Sequence, residues 1–106
     1  MKHNIFTVYD SKAKAYLTPF FMHEDGMAER VFSDCINDTA HQFGKHPEDY
    51  TLFKIGSWSD DKAKFLTNNP ISLGTGIEYV SAASLVDETQ QKLFTDPPLG
   101  DLKEVK

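Results

Sequence analysis

The chain has 106 residues and a net charge of −5, which allows one domain with a modest core but not two. Hydrophobic residues at 40% and charged residues at 25% are ordinary for a soluble globular chain, and the acidic balance excludes a uniformly basic DNA-binding surface. No apolar run approaches the length that crosses a bilayer, and the opening Met-Lys-His-Asn-Ile-Phe lacks the apolar stretch of a signal peptide, so a cytosolic chain without membrane contact is expected.

In chain order, Asn4–Asp10 alternates as a strand, with Phe6 and Val8 on one side and Ile5, Thr7 and Tyr9 on the other. "SKAK" is a polar turn, and Ala15–Met22 reads as the returning strand of a hairpin. Pro19 cannot donate to a ladder and confines that strand to an edge or a bulge. The period then changes. Ala28, Val31, Phe32, Cys35 and Ile36 share one helical face, with Asp25 as the expected N-cap and an end near Asn37 or Asp38. Ala40 and Phe43 could extend that face before Gly44 and Pro47 break it. Cys35, the single cysteine, agrees with a reducing compartment and reads as an inert thiol.

"DYTLFKIGSW" is the clearest strand, "SDDKA" a turn, "KFLT" its partner, "NNP" a second turn and "GIEYV" (Gly76–Val80) a last strand. A short helix is expected around "SLVDETQQKLF", followed by a mobile end. The sum is an α+β fold: an antiparallel β-sheet built from two hairpins plus a further strand, in ββαβββ order, with one helix packed on one face. Residues 1–80 form the domain and 81–106 a C-terminal extension. Phe6, Val8, Leu17, Phe21, Phe53 and Ile55 are expected to meet Val31, Phe32 and Ile36 of the helix.

"KHPEDY" collects His46, Glu48 and Asp49 with His41 nearby, yet no regular element sets a ligand spacing. Pro47 reads as an extended lead into the strand, with Glu48 and Asp49 pointing to different sides, so no metal site is expected. No Gly-x-Ser-x-Gly or Walker loop occurs, and "GTG" (Gly74–Gly76) reads as a flexible bulge. Neither a catalytic centre nor a cofactor is expected.

Charge distribution and aromatics point instead to binding. Residues 1–22 carry +2, residues 23–49 carry −5, residues 50–80 are balanced and residues 81–106 carry −2. Acid therefore gathers on the helix and the loop after it. With Phe53 and Ile55 turned to the helix, Tyr50, Lys54 and Trp58 would stand on the open face of the sheet. Tyr9 and Tyr16 join them, with Lys12 and Lys14 at one hairpin tip and Lys62 and Lys64 on the other. Aromatics interleaved with lysines form the stacking-plus-phosphate pattern of single-stranded nucleic-acid binders.

"YDSKAKAYLTPFF", "KHPEDYTLFKIG" and "PISLGTGIE", in this order and spacing, resemble the small non-structural protein of gokushovirus-type microviruses, tailless phages with circular single-stranded DNA genomes. The resemblance spans about residues 3–80. It implies a protein of the host cytoplasm that is not built into the capsid, binds DNA and links genome replication to single-strand packaging. It carries over no residue-level site. The combined expectation is a non-catalytic protein that binds single-stranded DNA, with a homodimer pooling two weakly basic faces. The alternative is an adaptor that grips replication, procapsid or host proteins without touching DNA, using Tyr50 and Trp58 as interface anchors.

Overall fold

The computed structural model describes residues 1–81. Two hairpins and a helix organise it: β1 (Lys2–Asp10), β2 (Ala15–Tyr16), β3 (Phe20–Met22), α1 (Asp25–Ile36), α2 (Gln42–Lys45), a 3-10 turn (Pro47–Asp49), β4 (Tyr50–Ser59), β5 (Lys64–Thr75) and α3 (Gly76–Tyr79). All strand pairs are antiparallel. β1 lies between β4 and the short β2 and β3, and β5 closes the far edge beyond β4. The α+β architecture with α1 on one face is as expected; the helix expected around "SLVDETQQKLF" lies outside the described residues. No helix among them is long and apolar enough to cross a membrane.

The second strand is split where Pro19 interrupts it, because proline offers no N–H to the ladder. Both hairpins turn through a residue with positive φ, Lys14 at 56° and Ala63 at 54°, the left-handed step that longer hairpin loops require. Asp10 braces the first turn by accepting from the backbone N–H groups of Lys12 and Ala13 at 3.0 and 3.3 Å.

One side of the sheet is sealed by α1. Phe6, Val8, Tyr50 and Leu52 pack against Ala28, Phe32 and Ile36, with Val8 opposite Leu52 in the β1–β4 register. This core differs from the expected one. Leu17, Phe21 and Val31 remain 38%, 47% and 42% exposed, and Phe53 is on the side away from the helix, beside Tyr16. The helix contacts the sheet through its i, i+4 row at 28, 32 and 36, which leaves Val31 to one side.

The N-terminus of α1 also differs. Glu24 is the N-cap without a side-chain bond, and Asp25, the expected cap, is the first helical residue with its carboxylate occupied across the layer. It accepts from Asn4 Nδ2 at 2.9 Å and pairs with Lys54 Nζ at 3.2 Å. The C-terminal end falls at Asn37 as expected. Asn37 donates to the Ser33 and Tyr79 carbonyls and accepts from Ser81 N–H, each at 2.9 Å, so this one side chain ties the helix end to the end of the described chain.

Beyond Thr67 the expected turn and last strand are replaced. β5 runs unbroken through Asn68, Asn69 and Pro70 to Thr75. It is an edge strand, and the register against β4 shifts there so that residues 68–70 have no partner on β4, which lets Pro70 sit in the strand without costing a ladder bond. Residues 76–79 then form α3, closed by a capping box in which Thr75 and Glu78 satisfy each other's backbone groups. Tyr79 stands edge-on to Phe32 at 5.2 Å and donates its hydroxyl to the Leu73 carbonyl at 2.7 Å.

Candidate nucleic-acid interface

Side chains alternate across a strand, so with Phe6 and Val8 on the helix, Ile5, Thr7 and Tyr9 face the other way. That second face has no helix over it among the described residues. Tyr9 and Tyr16 meet at 4.8 Å, and Phe53 stands edge-on to Tyr16 at 5.7 Å. At the far end Trp58 packs on Phe65 at 4.7 Å and His3 on His23 at 4.5 Å. Between the clusters Thr7, Tyr16, Leu17, Pro19, Ile55 and Pro70 line an apolar cavity of about 240 Å³. Tyr16 and Phe65 are 51% and 63% exposed, which leaves ring faces open for stacking.

A bulge places Trp58 here. Phe6 pairs with Lys54 but Ile5 pairs with Gly56, so Ile55 is an extra residue and the alternation of β4 reverses after it. Before the bulge Tyr50, Leu52 and Lys54 turn toward α1; after it Trp58 turns away. The expected grouping of Tyr50, Lys54 and Trp58 on one open face is therefore corrected. Tyr50 is buried in the helix-side core, 4.4 Å from the Phe43 ring. Lys54 is on the helix side and is neutralised by Asp25. Tyr9, Tyr16 and Trp58 do share the open face. Lys12 and Lys14 occupy the turn at the Tyr9–Tyr16 end, and Lys62 and Lys64 the turn and strand start at the Trp58 end.

Sequence reasoning missed Phe53, Phe65 and His3 as members of this face. Gly56, in a strand otherwise rich in large side chains, was the available signal of a bulge. Most of the acid lies elsewhere: Glu24, Asp25, Glu29, Asp34 and Asp38 lie on or flank α1, and Glu48 and Asp49 on the 3-10 turn, while Asp10, Asp60 and Asp61 stand at the two hairpin turns. Burial, with Asp34 and Asp38 beside it, pushes the Cys35 thiol up.

His46, Glu48 and Asp49 are brought closer than an extended lead-in would allow, their ligand atoms lying within 4.8 Å of one another. The 3-10 turn curls them together with Pro47 at its start. All three belong to one short turn, and exposed acidic groups commonly lie this close without an ion.

The N-terminus is tied to the β4–β5 turn. The Met1 α-amine contacts Asp60 and also Asp61, and His3 Nε2 lies 3.1 Å from the second Asp60 oxygen. Hydrogen bonding to that amine and to His3 holds the Asp60 carboxyl below its ordinary 3.8, and the same contact raises the amine above its ordinary 8.0. The tie contributes fully between these two ordinary values. It is lost as pH falls through the depressed Asp60 value or rises past the raised amine value. Amide shifts of Asp60 and Asp61 are expected to move at acid pH as the Asp60 carboxyl protonates and again at alkaline pH as the amine loses its proton. A residue added before Met1 should abolish the alkaline step, and a step that persisted would assign it to another group.

A family model described as Phage ORF5 protein matches residues 3–79. The chain belongs to the Phage ORF5 protein family. Membership makes it a bacteriophage protein, and the match takes in both hairpins, α1 and α3, hence the whole aromatic face. No curated protein and no solved structure matches this family member.

Proposed function

We propose that this Phage ORF5 protein is a non-structural, non-catalytic protein of the host cytoplasm. It would bind single-stranded DNA through the open face of its sheet and link viral genome replication to packaging. One observation carries the reading: aromatic clusters on a sheet face that no described helix covers, with lysine-bearing turns at both ends and most of the acid on the opposite layer. Bases stack on such rings without regard to sequence, while lysines contact phosphates. The acidic helix layer repels the strand and keeps it off the surface of α1. A homodimer would pool two weakly basic faces.

The test follows Trp58 fluorescence on titration with oligothymidine at low and moderate salt. Saturable quenching that weakens as salt rises is expected. Trp58→Ala should weaken binding by roughly 1–3 kcal/mol, about 5- to 150-fold. If neither the indole signal nor the anisotropy of a labelled strand changes, direct DNA binding is removed.

A second reading, an adaptor for replication, procapsid or host proteins, draws on the edge strand. Phe65, Leu66 and Ile71 of β5 are 63%, 70% and 52% exposed, and an exposed apolar edge is a ready template for another chain. Partner binding of that kind would respond little to salt.

A further inference from the structure

The end of the sheet farthest from the core carries a second feature, on the side opposite Trp58. Lys2, Ser59 and Lys64 are cross-strand neighbours in one row, and Asn4, Ser57 and Leu66 in the next. Asn4 reaches Asp25 on α1, so alternation sets both rows on the helix side of the sheet. These rows, Asn4 excepted, border with Lys62 and Asp61 an open cleft of about 490 Å³.

Its charges are arranged unusually. Among the described residues, Lys2, Lys62 and Lys64 have no ion-pair partner, whereas Lys54, nearer the core on the same side, is taken by Asp25. The acids at the same end are engaged: Asp60 by the α-amine and His3, Asp61 by the α-amine at 3.3 Å. Four cations, counting the amine, thus stand against two carboxylates, and Ser57 and Ser59 are among the lining residues. Ammonium groups around neutral hydroxyl donors suit a phosphate oxygen, which accepts from both.

We propose that this cleft is a phosphate-binding subsite for the phosphodiester backbone of single-stranded nucleic acid. The inference rests on the single-strand reading above and extends it to the second face. Lys64 and Phe65 are consecutive in β5 and project to opposite sides. A strand crossing the β5 edge therefore places a base against Phe65 and Trp58 on one side and a phosphate among the lysines on the other.

Two probes separate the cleft from the aromatic face: oligothymidine, and tripolyphosphate, which carries phosphate without bases. The protein is compared with the triple variant K2Q/K62Q/K64Q, whose exposed sites leave the core untouched. Tripolyphosphate is expected to shift the amide signals of Ser57, Ser59 and Lys64 in the parent and not in the variant. For oligothymidine the salt slope is expected to fall by about 2, as three lost contacts at ~0.7 each predict, while quenching of Trp58 persists. Unmoved Ser57 and Ser59 signals, with an unchanged oligothymidine slope in the variant, would overturn the cleft and leave the aromatic face standing. Tripolyphosphate shifts without any oligothymidine quenching would uphold a phosphate site but overturn the single-strand reading and the backbone ligand built on it.

Discussion

Replacing Phe6 with alanine is expected to lower stability by roughly 3–5 kcal/mol, the cost of emptying a large buried aromatic site. Phe6 is fully buried, stacks on Phe20 at 5.7 Å and belongs to the cluster that joins β1 and β4 to α1. Small domains hold only about 5–15 kcal/mol in total, so the variant should be partly or largely unfolded at physiological temperature. Urea unfolding followed by circular dichroism measures the loss. Phe21→Ala supplies the contrast: that ring is 47% exposed on the opposite face, and its removal should cost well under half as much. Equal losses in the two variants would mean that the core does not lie where Phe6 places it.

Gly56→Ala is the second large effect, and it connects stability to the proposed site. A Cβ at Gly56 would fall on the Leu66 carbonyl oxygen, and the backbone there has φ of +158°. The obstacle is the backbone of β5, which cannot turn aside as a flexible side chain would. Crowding of this kind costs roughly 1–3 kcal/mol, here with backbone strain added. Relief requires β4 and β5 to separate beside the bulge that sets the direction of Trp58. The expected result is a lower unfolding midpoint together with altered indole fluorescence and weakened oligothymidine binding. An alanine variant with the parent's midpoint and emission would show that the bulge does not depend on glycine.

Much of this was legible from residue order. The first hairpin, with its interruption at Pro19, follows from alternation and the missing proline donor. The helix over 25–36 follows from apolar spacing, although Ala40 and Phe43 keep to that spacing past the observed end at Asn37. Thr75-Gly-Ile-Glu78 was a capping box in plain view, yet the β-branched and aromatic residues around it suggested a strand. Gly76 fits there because a Cβ would fall on the Pro47 carbonyl oxygen and the Ile36 side chain, a constraint that exists only once α1 and the 3-10 turn are in place.

The faces of β4 were not legible, and the candidate interface depends on them. Tyr50, Leu52 and Lys54 alternate with Thr51, Phe53 and Ile55, and either set carries enough apolar surface to face a core. Period-2 patterning cannot choose between two apolar faces. The choice came from pairing: Val8 beside Leu52 continues the sheet surface that α1 covers, which sends Phe53 outward and Tyr50 inward. Lys54 shows the same limit, since a lysine in a strand reads as solvent-facing until Asp25, far away in sequence, is found opposite it. By itself the sequence determined the class of fold, the helix, both hairpins and the separation of acid from lysine. These are local periodicities and charge counts along a chain. Which aromatics share the open face, and which lysines remain unpaired, was decided by strand register, one bulge and contacts between distant residues, and only the tertiary structure holds those.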